Sequence, residues 1–496
     1  MGMLVLSTLM KNRLHHCVLM SSGFFWLLFT VMSAVAAPQP VVSADEQRTR
    51  LTGRVDENRV KQPWTIPFLG YPLSLSVQYE LAMDWLRPVA APSSKTQRLI
   101  EQQAEAELFY TLGPSLSVLV QTRLKTQETL RTPTPSGASD FFLERGEMWL
   151  TSENILGLPL SVEIGRLDFE DDRRWWWDED LDAVRVTLAG KTMELTLAVA
   201  QELGPTRTDR SFIEPARQGV LRVIAEANWD WDIDHTLQLF ALHHNDRSPN
   251  HRIDEVVDSL REDEIDAKLT WLGARASGMW TAKPGVFRYW VDTAGVRGEE
   301  RTVNYLPLSG RQSVVDERVQ RKVSGWAVDL GLTWTAPINS APRLSLGYAR
   351  GSGNKKDGGV HDSAFRQTGL NSNAPGFGGV QGFPSYGMLL DPELSNLAIV
   401  TVGIGRGLFA SSSLDLVYHA YRQIEPTNSL RHSRLEAGLT GQDRRIGQGL
   451  DLVLAVEESD WVEFELTAST FRAGEAWGVR RGEWTFGGFA AVRLAF

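Results

Sequence analysis

The chain is almost without cysteine. Cys17 is the only one among 496 residues, and it lies in the N-terminal stretch that a secretory signal would occupy, so no disulfide framework is expected in the mature protein. It follows Leu14, His15 and His16 instead of small residues and precedes an apolar run, which excludes a lipoprotein anchor. A basic excess is lacking as well, with 51 Lys and Arg against 61 Asp and Glu. That balance excludes a general nucleic-acid or anionic-membrane binder. Beyond residue 37 no apolar run is long enough to cross a bilayer as a helix. Enzyme signatures are missing too: there is no HExxH and no Gly-x-Ser-x-Gly elbow. Gly403-Ile404-Gly405-Arg406-Gly407 sits inside a strand pattern with no helix after it, and His243 and His244 would point to opposite faces of a strand. No enzyme, cofactor or metal site is expected.

What is there begins with an export signal. Lys11 and Arg13 precede an uncharged run from Val18 to Ala37 that ends in Ala34-Val35-Ala36, the order of a signal peptide spanning 1–36, with an uncleaved anchor helix as the alternative. Its removal takes away two bases and no acid, so the charge of −10 becomes −12. Residues 37–70 are polar, proline-punctuated and aperiodic, as a periplasmic N-terminal segment would be.

From Tyr71 the pattern changes. Leu73, Leu75, Val77, Tyr79 and Leu81 alternate with Ser74, Ser76, Gln78 and Glu80, the period-two signature of a strand with one apolar and one polar face. The same alternation recurs to Phe496 and gives about 18 strands, an even count that lets a closed antiparallel barrel keep both chain ends on one side. Connections alternate between brief turns, such as Gly113-Pro114 and Ala189-Gly190-Lys191, and long loops at 126–139, 168–181, 203–218, 246–263, 297–321, 351–394, 423–447 and 473–483. Short periplasmic turns and long extracellular loops are the rhythm of an all-β transmembrane antiparallel barrel over 71–496, and a soluble sandwich has no reason for it. The last strand, from Trp484 to Phe496, alternates to a terminal aromatic that resembles an outer-membrane insertion signal. Trp149, Trp229, Trp231, Trp326, Trp334, Trp461 and Trp484 fall near strand ends, where indoles would form interfacial girdles.

A barrel of this size leaves an aqueous channel, so inward side chains matter. Strand parity places Arg123, Lys125, Arg145, Arg185, Arg222, Lys268 and Arg288 inward, with Arg166 and Arg350 adding bases near the outer mouth. Inward acids are more numerous, and pairing across the wall accounts for many of these bases. The arginines nevertheless concentrate on strands three to eleven, and their planar forks suit carboxylate ligands.

The stretch Arg166 to Arg185, RLDFEDDRRWWWDEDLDAVR, joins two strand patterns through a charged, tryptophan-rich middle that suits the wet mouth of a pore better than a core. Its acids match no EF-hand spacing; a solvated acidic rim paired with Arg173 and Arg174 is expected there. Its Arg-x-x-Phe step and Asp-Glu-x-Leu-Asp-x-Val-Arg ending resemble the alginate export family of bacterial outer-membrane barrels. So do Phe365-Arg366-Gln367-Thr368-Gly369-Leu370-Asn371-Ser372-Asn373, Phe377-Gly378-Gly379-Val380-Gln381 and Leu390-Asp391-Pro392, which look like that family's long external loop. The resemblance implies a monomeric barrel in the outer membrane, surrounded by lipid, exporting an acidic polysaccharide alongside a periplasmic export apparatus. A small-solute porin of the same fold, a barrel-embedded enzyme and a surface adhesin are the competing readings.

Overall fold

The computed structural model describes residues 59–60, 63–87, 97–131, 138–248, 251–354, 359–435 and 438–496; the signal segment and most of 37–70 lie outside the described residues. Eighteen strands make the barrel wall: β1 (Tyr71–Arg87), β2 (Gln97–Gly113), β3 (Leu116–Arg131), β4 (Ala138–Ser152), β5 (Leu160–Glu170), β6 (Asp178–Ala189), β7 (Met193–Ala200), β8 (Leu221–Asp232) and β9 (His235–Asn245). They continue with β10 (Ile265–Ala282), β11 (Gly285–Pro307), β12 (Gln312–Thr335), β13 (Arg343–Gly351), β14 (Leu397–Gly407), β15 (Ser413–Gln423), β16 (Arg445–Ser459), β17 (Val462–Ala473) and β18 (Trp484–Ala495). Each pairs antiparallel with its neighbours in sequence, and β1 closes on β18 from Gln78↔Ala495 to Arg87↔Phe486. Closure leaves the wall no exposed edge.

The alternation in sequence becomes two surfaces. Leu239, Leu272 and Ile404 stand on the outer face, each more than half exposed, while Gln238 and Arg275 beside them in the ladder are buried within. Only a barrel set in hydrocarbon combines an apolar exterior with charged groups buried inside. Trp229, Trp231, Trp326, Trp461 and Trp484 are about half exposed, as girdle residues should be. Trp149 is not among them: it is buried, packs edge-on to Phe109 and donates its Nε1–H to Glu147 at 3.0 Å.

Two connections differ from expectation. Residues 297–321 are not a loop but the continuation of β11 and β12, a hairpin of 23 and 24 residues whose turn is only 308–311. The strand-forming side chains Val303, Tyr305, Val314 and Val315 keep the ladder going well past the length a bilayer requires. The second difference is at β5 and β6. The β4–β5 ladder stops at Met148↔Arg166, and above it β4 pairs instead with the β7–β8 loop, through Arg145 N to Thr206 O at 2.8 Å and Thr208 N to Leu143 O at 2.9 Å. The upper half of the β5–β6 hairpin therefore leaves the wall and lies in the lumen.

At the periplasmic end the strand Trp64–Phe68 pairs with β1 from Leu75 to Tyr71, in the column below the point where β18 ends. Arg59, just before it, reaches ion pairs with Glu107 and Glu147 on β2 and β4.

Candidate substrate conduit

One carboxylate organises the tip of the inward hairpin. Asp171 is fully buried and accepts hydrogen bonds from the backbone N–H groups of Trp176 at 2.7 Å, Trp177 at 3.1 Å and Arg173 at 3.0 Å, and its Oδ1 lies 2.6 Å from Arg275 Nη1. Burial alone would raise its pKa, but the Arg275 guanidinium and the two tryptophan N–H groups hold it below the ordinary carboxylate value. With the turn fixed this way, Trp175, Trp176 and Trp177 point into the protein. All three are almost completely buried, so the wet-mouth reading of the triplet is wrong. They find an apolar surface that the linear sequence conceals: Trp176 stacks on Phe240 of β9 at 4.8 Å, Trp177 meets the same ring edge-on at 5.3 Å, and Trp175 stacks on Phe365 at 6.2 Å. Gly273 of β10 permits this approach, since a Cβ there would stand 2.3 Å from the Trp176 ring.

The long β13–β14 loop, 352–396, folds inward to meet the hairpin. Its RQTGLNSN motif is a fastener: Trp271 Nε1 donates to Arg366 O at 2.7 Å, Arg366 pairs with Glu300 at 3.0 Å and Asp362 at 2.6 Å, and the Gln367 and Asn373 amides bond each other at 2.8 and 3.0 Å. Asp178 N bonds Leu370 O at 2.6 Å, and Thr368 Oγ1 reaches Trp176 O. The charges continue as a chain. Arg275 binds Asp292 at 2.7 Å, Asp292 binds Arg173 at 3.2 Å, Arg173 binds Asp329 at 3.1 Å, and Asp329 accepts from the Tyr386 hydroxyl at 2.8 Å, which in turn accepts from Trp175 Nε1 at 2.7 Å. Arg173 and Arg174 do pair with acids, but inside the barrel and away from any solvated rim: Arg174 holds Glu170 at 2.7 Å and Asp178 at 3.6 Å.

Between this plug and the β1–β4 wall remains a polar cavity of about 610 Å³. Arg123 and Lys125 from β3, Arg166, Asp168, Glu170 and Asp180 from the hairpin, Arg207 and Arg217 from the β7–β8 loop, Arg493 from β18 and Arg59 all line it. Every base here meets acids. Arg123 lies 2.8 Å from Glu105, 3.2 Å from Asp180 and 3.6 Å from Glu144, and Lys125 lies 3.4 Å from Glu144 and 3.8 Å from Glu101.

The nine sequence-derived bases are thus divided. Arg123, Lys125 and Arg166 are brought together on the cavity, although Arg166 is mostly buried against Glu202 at 3.3 Å and Asp182 at 3.8 Å. Arg145 reaches Asp182 at 3.3 Å and the Gly204 carbonyl at 2.9 Å, tying the displaced loop to β4. Arg185 is clamped by Glu163 at 2.6 and 2.9 Å, a wall pair. Arg222 is buried beside His244 of β9, and its Nε and Nη1 have no hydrogen-bond partner. Arg288 shares the lumen parity of Trp290 and Asp292 but stands exposed toward the periplasmic end. Two were misplaced. Lys268 is exposed on the outer parity with Thr270 and Leu272, because Leu269, Trp271 and Arg275 take the inner one. Arg350 lies outward, 5.7 Å over the exposed ring of Trp326 and opposite Val328. Arg275 was missed for the same reason, and anchoring the register on Trp271 would have found it.

A closed antiparallel barrel with an apolar exterior, girdle tryptophans and a polar, constricted lumen is an 18-stranded β-barrel of the bacterial outer membrane. The chain belongs to the alginate export family, whose profile matches residues 138–485. It is 27% identical over 317 residues to the alginate production protein AlgE of Pseudomonas aeruginosa, and 23% identical over 291 residues to AlgE of Azotobacter vinelandii. The matched region spans 63% of this chain and 63% of the P. aeruginosa relative, and 58% of that from A. vinelandii. Among solved structures it resembles P. aeruginosa OccK5 (OpdH), with a TM-score of 0.52 at 9% identity over 86% of this chain and 98% of that one. Acinetobacter baumannii OccAB1 gives 0.51 at 9% identity, over 86% and 96%. These two likenesses are of fold alone.

Proposed function

We propose that this barrel is a passive, monomeric conduit that exports an acidic polysaccharide, an alginate-like polyuronate, and that it works alongside a periplasmic export apparatus and carries out no chemistry on its cargo. The observation that carries the reading is the self-paired lining of the cavity, where Arg123 and Lys125 pair directly with the carboxylates of Glu105, Glu144 and Asp180 on the wall of a polar space. A uronate carboxylate is chemically the same ligand. It can replace a side-chain carboxylate on a guanidinium, which stays paired throughout while the displaced carboxylate turns to solvent in the cavity, so the two states lie close in energy and no site traps the polymer. The internal acids hold the places that the polymer takes in turn.

The test is Arg123→Glu with Lys125→Glu in planar bilayers, read as reversal potential in a salt gradient and as block by oligouronates. Each lost charge-assisted contact is worth about 1.5 kcal/mol, so block should weaken by roughly tenfold or more, and most at low salt. Unchanged block and selectivity would make these wall-pairing residues and remove the structural support for a polyanion. Block by single uronic acids as strong as by oligomers would favour a small-solute channel instead.

A further inference from the structure

At the extracellular end of β9 and β10 three carboxylates converge. Asp246 follows the last residue of β9, Asp263 ends the β9–β10 loop and Asp266 opens β10, and one carboxylate oxygen from each lies within 4.8 Å of the others. Asp266 is answered by Arg301 at 3.3 Å and by the Ser248 hydroxyl at 3.1 Å, and Asp246 accepts the Ser248 N–H at 2.7 Å. Asp263 is different. It is only 6% exposed, and although the Ser248 hydroxyl and the Ile265 N–H reach its carboxylate, its Oδ1 is buried with no hydrogen-bond partner. A buried carboxylate oxygen left bare beside two more carboxylates is a costly arrangement for the protein alone. Burial and the charges of Asp246 and Asp266 push Asp263 up to about 6, and Arg222 offsets part of the charge on Asp246.

We propose that Asp246, Asp263 and Asp266 form a calcium site that ties the two ends of the β9–β10 loop together beside the β11–β12 hairpin. The spacing suits the ion. Oxygens bound to Ca²⁺ at roughly 2.3–2.6 Å sit at most about 5 Å apart, so a single ion touches all three, with water completing its 6–8 ligands. All donors are oxygen, with neither thiolate nor imidazole, which selects a hard cation over zinc or copper. They come from a loop and a strand end, and nothing in them imposes the strict octahedron that Mg²⁺ requires. Arg301 offsets one of three negative charges, and a divalent ion offsets the other two. The loop is already held to the hairpin without it: the Tyr305 hydroxyl of β11 accepts from Asp263 N at 3.1 Å and donates to Asp263 O at 2.9 Å, and Val256–Asp258 of the loop pairs with the start of β12. The ion would add the tie between the loop's own two ends.

Tyr305 also provides the readout, because a tyrosine this close sensitises terbium emission. Full-length protein in detergent micelles, stripped with EDTA, is titrated with Tb³⁺ under tyrosine excitation, and the bound ion is then displaced with Ca²⁺ or Mg²⁺. The expected result is a saturable emission that Ca²⁺ displaces at concentrations at least roughly tenfold lower than Mg²⁺ does, and an affinity loss of about tenfold or more in Asp263→Asn, checked for assembly by heat-modifiable migration. Should Asp263→Asn not assemble, Asp246→Asn, on a half-buried residue, serves in its place with the same expectation. Emission that survives unchanged in the assembled variant, or that Mg²⁺ displaces as readily as Ca²⁺, overturns the assignment.

Discussion

Asp171 shows how far one side chain can determine a site. Its two oxygens fix three backbone N–H groups and Arg275, and through them the direction of three tryptophans. Asp171→Ala would leave the fully buried Arg275 guanidinium with Asp292 alone and strand the N–H groups of the turn, a loss of about 3 kcal/mol. The expected outcome is a lower urea midpoint, a red-shifted tryptophan emission and a larger single-channel conductance as the hairpin tip loosens. Acid should act in the same direction. Because the folded pKa of Asp171 is depressed, its contribution is complete above the ordinary carboxylate value of about 4 and is lost as pH falls through the folded value. Emission followed from pH 7 to pH 2 should therefore include a red shift below about pH 4 that Asp171→Asn abolishes, and an identical low-pH shift in the variant would contradict the assignment. None of this was legible in RLDFEDDRRWWWDEDLDAVR read as a line of residues. Composition marked the stretch as exceptional, but an acid-rich triplet of tryptophans looks like a surface until Phe240 and Phe365, 63 and more residues away, supply the other half of its packing.

Among the strands, what the sequence revealed and what it concealed divide at one glycine. The period-two alternation located all eighteen wall strands, because each must present one face to lipid and one to water. It could not show where a strand leaves the wall. Gly165 has φ +139°, a region closed to most side chains, and above it Arg166 and Leu167 are both buried and the β4–β5 ladder ends. A substitution there is strained by its backbone, and its Cβ would stand 2.1 Å from Met148 O, so Gly165→Ala should prevent the hairpin from bending inward. Gly273→Val tests the other contact, since the added methyls meet the Trp176 ring and the Thr293 carbonyl. Overpacking of this kind costs about 1–3 kcal/mol, and the measurable result is a lower midpoint with the barrel ladder intact by circular dichroism. Lys268 was misread at this same scale, since a parity shifted by one residue puts every charge of a strand on the opposite face, whereas Arg350 stands at the extracellular end of β13 as expected but faces outward.

Taken whole, the molecule is a continuous wall whose ladder runs unbroken from β1 to β18, apart from the seam above Met148, which the β7–β8 loop fills. A closed ladder in detergent should resist unfolding by SDS at room temperature and migrate faster unboiled than boiled, and identical migration would contradict closure. The wall has one more property, which follows from β11 and β12. Crossing the bilayer takes roughly 10 residues of each strand, yet they have 23 and 24, so about a dozen residues on each side remain, rising at about 3.3 Å per residue. Allowing for tilt, the turn 308–311 stands roughly 25–30 Å above the hydrocarbon, with the β9–β10 loop climbing beside it as far as Ser259. On a cell coated with long sugar chains, that turn is a part an antibody or a phage tail fibre can reach. A peptide tag inserted at Ser309–Gly310 should be stained on intact bacteria while conductance stays unchanged, which makes the hairpin the natural handle for counting and tracking these channels on living cells.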